Sequence, residues 1–459
     1  MTVLSAPTPR WTPLRPHAVQ RQYWNSPHRF NVVPAGRRSG KTELAKRKLV
    51  TKALSAGTTW KPRFFAGAPT RDQAKRIFWE DLKALTPKKF LAGTPSESDL
   101  MLPYINGASI WVVGLDVAAR MEGQPWDGGV VDEIGNAKPE VWGANIRPAL
   151  SDRKGWCDLI GVPEGRNHYY ELDLSAQAQL KELGPKSPWG RFHWKSADIL
   201  DAEEIEQARR DLDELTFQQE YEGSFINFEG RAYYVFNADI HTAPLRYDPR
   251  RPLVFCFDFN VDPGVCAVCQ EQQLPGQYER DGNGLIQLDR PIHGTGVIGE
   301  VWIERNSNTP AVCRRLVQDW KNHAGSVLCY GDATGGSRGT AKVQGSDWDL
   351  IKAELNPHFG GRITYEVPPS NPTERSRINA MNTRLLSASG AVHMMVDGAK
   401  APHVVKDLDG VVLLKGGSGE LDKKATPMLT HISDGLGYYI AKTFPVITQS
   451  MDRVQMGGV

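Results

Sequence analysis

The sequence predicts an α/β protein with two principal domains, because strand-like and helix-like segments alternate along both halves of the chain. In the first half, short apolar segments are followed by segments with helical periodicity, an alternation typical of a parallel sheet. A second series of apolar strands begins after a charged stretch. The predicted domains are residues 1–196, a connecting segment 197–247 that carries one charged helix over 202–221, and residues 248–459.

The composition is that of a globular protein, with 24% charged and 40% hydrophobic residues. A net charge of +2 neither requires nor excludes nucleic acid, since a basic groove can lie within a balanced total. The 6 cysteines lack the spacing of a disulfide framework, which favours a reducing compartment. Cys266 and Cys269 are expected to be buried thiols rather than metal ligands. No apolar run reaches the ~20 residues that a membrane span needs.

The segment 30–50 has the pattern of a phosphate-binding loop. An apolar strand, a loop that contains glycine and serine, and a run of good helix formers follow one another. Loop N–H groups and the positive end of the helix dipole attract an anion in such an arrangement. Lys41 would reach the β- and γ-phosphates of ATP, and the Thr42 hydroxyl would bind Mg²⁺. The usual first glycine is replaced by Ala35, and the nearest glycine, Gly36, stands one position later.

An acidic pair further along the chain completes the predicted nucleotide site. The apolar strand 128–131 ends in Asp132 and Glu133. Asp132 is predicted to hold Mg²⁺ through water, and Glu133 to polarise the attacking water. Gln20, just before the loop, either reads an adenine edge or lies on an ordinary polar helix face. The predicted nucleotide-binding residues are Gln20, Gly36, Arg38, Ser39, Gly40, Lys41, Thr42 and Asp132.

Two arginines are alternative candidates for an arginine finger, a residue that stabilises the charge of the transferring phosphate. Arg37 lies within the phosphate loop, and Arg120 lies in a glycine-containing loop from which it would act on a neighbouring subunit. The sequence leaves both open.

The second half of the chain places aspartates at strand ends and at a helix start. Asp258 follows an apolar strand, Asp332 follows another, and Asp434 lies in the predicted first turn of a helix. Each alone is more typical of a cap or a turn. Together they can converge on two divalent metal ions, which cleave phosphodiesters by activating water and stabilising the leaving oxygen. Asp262 is a further candidate.

The ordered set of motifs resembles the large terminase subunit of tailed bacteriophages, the motor that packages DNA. No single motif carries this resemblance. Its elements are Arg15-Pro16 with Gln20, Gly36-Arg37-Arg38 with Gly40-Lys41-Thr42, Ala68-Pro69-Thr70 with Gln73-Ala74, Val130-Val131-Asp132-Glu133, Arg147–Asp152, Pro163 with Gly165 and Asn167, Phe217 with Gln219-Glu220-Tyr221, Phe257-Asp258-Phe259, Gly331–Thr334, Asn371-Pro372 with Arg377 and Asn379, and Thr430–Tyr439.

The resemblance implies a P-loop ATPase domain of the ASCE (RecA-like) type followed by a ribonuclease H-like nuclease domain. It implies ATP with Mg²⁺ at the first site, and two Mg²⁺ or Mn²⁺ ions at the second. The implied partners are double-stranded DNA, a portal protein, a small terminase subunit and further copies of the chain in a ring, expected to be a pentamer, on a procapsid in the host cytoplasm, with no membrane partner. Val162 departs from the family, which usually has serine or threonine before this proline.

Two other functions remain as alternatives. A helicase or repair translocase with an attached nuclease would share the ATP site, but the sequence shows no second RecA-like motor domain. A structural viral protein with a vestigial nucleotide site is disfavoured by the intact lysine, threonine and Asp-Glu pair.

Overall fold

The computed structural model describes residues 16–446, apart from 58–59, 227–228, 260–261, 276, 282–283, 289–291, 334–345, 415–418 and 426–427. Side chains at 118–120, 277–281 and 284–288 also lie outside the description. The chain forms two compact units: the first comprises Met1–Ile205 and Gln218–Asn227, and the second Glu206–Phe217 and Phe228–Val459. The segment 197–247 is thus shared between the units, and its role as a separate connecting subdomain stays a prediction.

The first unit is built on a sheet of strands β1 (Phe30–Pro34), β2 (Arg63–Ala68), β3 (Met101–Pro103), β4 (Ser109–Gly114), β5 (Gly128–Val131), β6 (Trp156–Gly161) and β7 (Trp189–Arg191). Their order is β3-β4-β2-β5-β6-β1-β7. All neighbours are parallel except β3 and β4. One strand, β6, separates the phosphate-loop strand β1 from the Asp-Glu strand β5, as in the predicted ASCE fold.

Helices cover both faces of this sheet. In both β1 and β5, successive residues belong to different apolar clusters. Val33 and Val130 lie in one cluster, and Val32 and Val131 lie in the other. This alternation follows from the two-residue period of a strand. The α-helices are α1 (Ala18–Trp24), α2 (Lys41–Leu54), α3 (Arg71–Ala74), α4 (Glu80–Leu85), α5 (Arg147–Ala149) and α6 (His168–Leu183); π-helical turns span Lys75–Trp79 and Val141–Ile146, and 3₁₀ turns span Lys88–Phe90, Leu115–Met121, Ile134–Asn136, Gly184–Lys186 and Ser196–Asp198.

The prediction of one continuous helix over 202–221 is wrong, because two separate helices occupy this stretch. They are α7 (Ala202–Asp211) and α8 (Glu214–Glu220). The break is stabilised by buried Asp213, whose Oδ1 accepts hydrogen bonds from the Thr216 backbone N at 3.2 Å and the Tyr234 hydroxyl at 2.5 Å. A side chain that caps the second helix in this way favours a break over continuous helix.

The second unit contains β8 (Leu253–Asp258), β9 (Gly264–Leu274), β10 (Gln277–Asp281), β11 (Gly284–Leu288), β12 (Ile292–Ile303), β13 (Val327–Gly331), β14 (Ile363–Tyr365) and β15 (Met394–Val396). The sheet order is β14-β13-β8-β9-β12-β15, and β10 pairs with β11 in a separate hairpin. Strands β8, β9 and β12 are antiparallel neighbours, whereas β13 is parallel to both β8 and β14. This topology is that of the predicted ribonuclease H-like fold.

The α-helices of this unit pack on both faces of its sheet. They are α9 (Ala238–His241), α10 (Thr309–Trp320), α11 (Asp347–Phe359), α12 (Glu374–Leu385), α13 (Pro402–Gly410) and α14 (His431–Thr443), with a 3₁₀ turn at Gly360–Arg362. Phe255 and Phe257 belong to an apolar core with α10 and α11. The alternate residues Cys256 and Asp258 face the other side of the sheet, against α14.

The predicted burial of Cys266 and Cys269 is confirmed, because both are buried free thiols. No helix in the described part of the chain has the length and apolar character required to cross a bilayer.

Candidate active sites

The phosphate loop of the first unit turns sharply between β1 and α2. Arg38 and Gly40 both have left-handed backbone conformations, with φ of 54° and 78°. Gly40 is the N-cap of α2, so the first residue of the helix is Lys41. The unpaired N–H groups of this helix start are directed to the loop, where an anion would bind. Lys41 folds back over the loop, with its Nζ 3.4 Å from the Gly36 carbonyl oxygen, and is only 6% exposed.

The displaced glycine of the loop has a steric explanation. A Cβ added at Gly36 would contact the Ser196 side chain and the Tyr221 carbonyl oxygen, and would lie 2.6 Å from the Ser196 backbone N. Ala35 instead continues the strand, because its backbone N donates to the Gly161 carbonyl oxygen at 3.2 Å and its methyl group is buried. The position that must lack a side chain in this fold is therefore 36.

Two side chains support the loop through one carbonyl group. The Ser39 carbonyl oxygen accepts hydrogen bonds from Gln20 Nε2 and Trp194 Nε1, each at 2.9 Å. Gln20 is 4% exposed, so its amide is used in part to position the loop. Its contact with adenine stays a prediction. Trp194 belongs to none of the sequence motifs named above.

The structure brings the predicted metal-binding residues of the nucleotide site together. Thr42 Oγ1 donates to Asp132 Oδ2 at 2.7 Å, and Asp132 Oδ1 accepts from the Glu133 backbone N at 2.9 Å. A hydroxyl and a carboxylate at this separation are the hard oxygen donors that Mg²⁺ prefers. The donor set therefore fits a nucleotide-bound Mg²⁺, although ligation itself stays a prediction.

Glu133 has an unusual backbone and a perturbed pKa. Its φ of 53° is left-handed, which costs a non-glycine residue of order 1–3 kcal/mol and is tolerated mainly at functional sites. The Glu133 side chain is surrounded by protein on most sides, although the residue is not fully buried. Burial, then the negative charge of Asp132, raises its pKa to about 7, while Lys41 and Arg37 act in the opposite direction. A carboxyl group of this pKa is suited to accept a proton near neutral pH.

Side-chain contacts are known for only one of the two finger candidates, Arg37. Arg37 Nε lies 2.5 Å from Glu220 Oε2, and the Arg37 backbone N donates to the Glu220 carbonyl oxygen at 2.6 Å. The charge of Arg37 also acts on Glu133. Arg120 falls in the turn Leu115–Met121, but its side chain lies outside the described residues. Which arginine serves as a finger stays a prediction.

A loop after β6 connects the acidic pair to the end of α8. Asn167 Nδ2 donates to the Gly135 carbonyl oxygen at 2.8 Å, just after Glu133. The Gly165 backbone N donates to Gln219 Oε1 at 3.0 Å. These contacts form although position 162 is a buried valine, which has no hydroxyl. Gln219 and Glu220 were part of a recognised motif, but their contacts with this loop and with Arg37 were not predicted.

In the second unit, strand register places two of the predicted acids at one edge of the sheet. Gly331 pairs with Phe257 in parallel strands, so Asp332 and Asp258 follow at the same end. Asp258 Oδ2 lies 3.3 Å from His431 Nδ1, and Asp332 Oδ1 accepts from Asn371 Nδ2 at 2.6 Å.

The third acid, Asp434, is brought to this edge by close packing of α14. A Cβ at Gly435 would lie 2.9 Å from the Cys256 carbonyl oxygen, so the glycine lets α14 approach β8. Asp434 is 7% exposed, and burial raises its pKa while Arg377 and Lys423 oppose that rise. Its Oδ1 lies 3.0 Å from Arg377 Nη2, and its Oδ2 lies 3.1 Å from Lys423 Nζ.

The three acids lie near one another, but their carboxylates do not form one compact cluster. Within the described residues, no group of three or more histidine, cysteine, aspartate and glutamate side chains is arranged to hold a metal ion. The charge of Asp258 nevertheless raises the pKa of Asp434, and all three acids act on Tyr438. Three carboxylates form a donor set suited to Mg²⁺ or Mn²⁺, so the residue types fit such ions. Asp262 Oδ1 is instead 3.4 Å from the Ser307 backbone N.

Comparison with known proteins gives one consistent set of relatives. No model of a protein family matches the chain. The chain is 26% identical over 314 residues to the large terminase subunit of Thermus virus P23-45, covering 60% of this chain and 62% of the relative. It is 27% identical over 225 residues to that of Escherichia phage T5, covering 48% and 49%. The chain thus spans about three fifths or less of these curated relatives.

The fold comparison extends over more of the chain. A large terminase from a thermophilic bacteriophage superposes with a TM-score of 0.54 and 14% identity, covering 93% of this chain and 98% of that one. An identity this low supports the shared fold alone. In sequence and in fold, therefore, the chain is similar to the large terminase subunits of phages.

Proposed function

We propose that the chain is a viral DNA-packaging motor: an ATPase that drives double-stranded DNA through a portal into a procapsid, joined to a metal-dependent endonuclease that cuts concatemeric DNA. The observation that carries the proposal is the convergence of Thr42, Asp132 and Glu133 beside the phosphate loop. The similarity to large terminase subunits gives it its biological setting.

The ATPase half assigns one role to each residue. Lys41 and the N–H groups at the start of α2 bind the phosphates. Thr42 would bind Mg²⁺ and Asp132 would hold it through water, while Glu133 orients the attacking water. When bound, ATP supplies the phosphoanhydride bond that is hydrolysed. Because Glu133 loses its proton near pH 7, its ionised form is available under physiological conditions.

The finger role has two candidates that a mixing experiment separates. Arg37 is held by Glu220 and would act within its own subunit, whereas Arg120 would act on a neighbour. Mixing Arg120→Ala with Glu133→Ala protein should restore some ATP hydrolysis if Arg120 acts in trans, because one interface regains both groups. Mixing Arg37→Ala with Glu133→Ala should restore none if Arg37 acts in cis. Absence of rescue in assembled Arg120→Ala mixtures removes that residue from the trans role.

In the nuclease half, Asp258, Asp332 and Asp434 would hold two Mg²⁺ or Mn²⁺ ions, which when bound would activate water and stabilise the leaving oxygen of a phosphodiester. His431, which contacts Asp258, orients that carboxylate. The site of Asp332 is further fixed by Asn371.

The partners follow from the packaging role. They are double-stranded DNA, the portal protein, a small terminase subunit and other copies of this chain in a ring, proposed to be a pentamer, on a procapsid in the host cytoplasm.

One experiment tests the whole proposal on the full-length protein. ATP hydrolysis is measured with and without double-stranded DNA, and plasmid nicking is measured with Mn²⁺ and no ATP. DNA-stimulated hydrolysis together with ATP-independent nicking is the expected result. Hydrolysis that is equal in wild-type and Lys41→Ala protein would contradict the motor. ATP-dependent unwinding of the duplex would favour the helicase alternative.

A further inference from the structure

Asp434 is bonded to two basic side chains that differ in how firmly they are held. The Arg377 side chain is 7% exposed, and its guanidinium lies 4.3 Å from the centre of the Tyr438 ring. The Lys423 side chain is 51% exposed. Arg377 is therefore a fixed partner of Asp434, whereas the Lys423 ammonium can exchange with water at little cost.

Lys423 also has a second anchor. Its Nζ lies 3.0 Å from Glu374 Oε1 as well as 3.1 Å from Asp434 Oδ2. The other oxygen of Glu374 accepts from the Leu421 backbone N at 3.1 Å, which holds the segment that carries the lysine against α12. This arrangement positions the ammonium between two carboxylates.

These contacts compete directly with cation binding at Asp434. A divalent ion needs a carboxylate oxygen, and Arg377 contacts Oδ1 while Lys423 contacts Oδ2. Breaking a buried ion pair is expensive, whereas a half-exposed pair contributes little and can be exchanged. Replacing the ammonium with a monovalent cation would leave the net charge of the site unchanged. Replacing it with a divalent cation raises that net charge by one unit.

We propose that Lys423 competes with a divalent cation for Asp434 and thereby sets the cation affinity of the nuclease site. Lys423 is thus a positioning residue that keeps Asp434 neutralised until such an ion replaces it. The inference rests on the proposed nuclease function, because it takes Asp434 to be a ligand of Mg²⁺ or Mn²⁺.

The test measures Mn²⁺ binding to the full-length protein by calorimetry, without DNA or nucleotide. Lys423→Gln should lower the apparent Kd about two- to fivefold, the change expected when a competing half-exposed pair is removed. Lys423→Arg keeps a cation at this position and should bind like wild type. Lys424→Gln is the matched control, because this exposed neighbour carries the same charge and its backbone N donates to Asp422 rather than to Asp434.

Two results would separate failure of this inference from failure of the nuclease proposal. If Lys423→Gln binds Mn²⁺ no more tightly than Lys424→Gln, while Asp258→Asn binds it weakly, the competition is refuted and the metal site stands. If wild type and Asp258→Asn give the same Mn²⁺ binding, the metal site itself is refuted. Far-ultraviolet circular dichroism of each variant establishes that the fold is intact.

Discussion

Asp132 of the first unit and Asp434 of the second differ in the groups that contact their carboxylates. In the first unit, Asp132 accepts from a hydroxyl and a backbone N–H, both uncharged donors. In the second, Asp434 is paired with Arg377 and Lys423. Neutral donors leave the charge of Asp132 available to a cation, whereas the bases around Asp434 already balance it. Under the proposed function, the nucleotide site would be prepared for Mg²⁺, whereas the nuclease site would bind its ions by exchange with a basic side chain.

The largest expected effect is the loss of ATP turnover on removal of Glu133. Glu133→Ala should lower kcat by about 10²–10⁴-fold, because it deletes the carboxylate that orients water. Nucleotide affinity should change little, since Lys41 and the loop amides remain. Steady-state hydrolysis and equilibrium binding of a fluorescent ATP analogue measure the two quantities.

Glu140→Ala is the control for this variant, because Glu140 is an exposed glutamate of the same unit. It should hydrolyse ATP like wild type. If Glu133→Ala also retains normal turnover, the assignment of strand β5 and its acids is wrong.

A comparable effect is expected at the second site from Asp258→Asn. Loss of a metal-binding carboxylate should reduce DNA cleavage at least ~100-fold, since removing groups that only orient metal ligands already costs about 10–100-fold. Hydrolysis of ATP should be unaffected, because it depends on different residues. Plasmid nicking in Mn²⁺ and an ATPase assay on the same preparation check both expectations.

Asp262→Asn sharpens this second test, because Asp262 lies close in sequence but is directed to Ser307. We expect it to nick DNA at nearly the wild-type rate. Loss of cleavage equal to that of Asp258→Asn would make Asp262 a fourth acid of the site.

The sequence predicted those features whose determinants are contiguous. The phosphate loop, the Asp-Glu pair and the helix with Asp434 in its first turn each occupy a few successive residues, and strand register then brings Asp258 and Asp332 to one edge. Parallel strands end at a common edge, so the general location of both sites could be predicted.

The partners of these residues could not be predicted, because they are distant in sequence. Trp194 supports Ser39 across 155 residues, and Glu220 binds Arg37 across 183. No local pattern specifies such contacts. The break between α7 and α8 was missed for a related reason, since Asp213 caps α8 with the help of Tyr234 from outside the helix.

A smaller effect is expected from substitutions that test where the loop requires glycine. Gly36→Ala should destabilise the protein by about 1–3 kcal/mol and weaken nucleotide binding, because the new methyl group overlaps the backbone at Ser196. Ala35→Gly should cost only about 0.5–1 kcal/mol, the entropy of a strand glycine, and should still bind ATP. Urea denaturation and nucleotide titration measure both variants. Equal losses in the two would contradict the steric account.

The smallest expected effect is a pH dependence that distinguishes the first site. Because the pKa of Glu133 is raised to about 7, its ionised form is lost as pH falls through 7. The kcat/KM for ATP reports the free enzyme and should fall about fivefold between pH 7 and pH 6, because the ionised fraction of the carboxyl falls from about one half to about one tenth. The charge of Glu164 contributes to the raised pKa, so Glu164→Gln should move the midpoint to lower pH by a fraction of a unit, and Glu140→Ala should not move it. A profile that stays flat from pH 6 to pH 8, in protein that remains folded, would show that Glu133 is not the group whose ionisation limits hydrolysis.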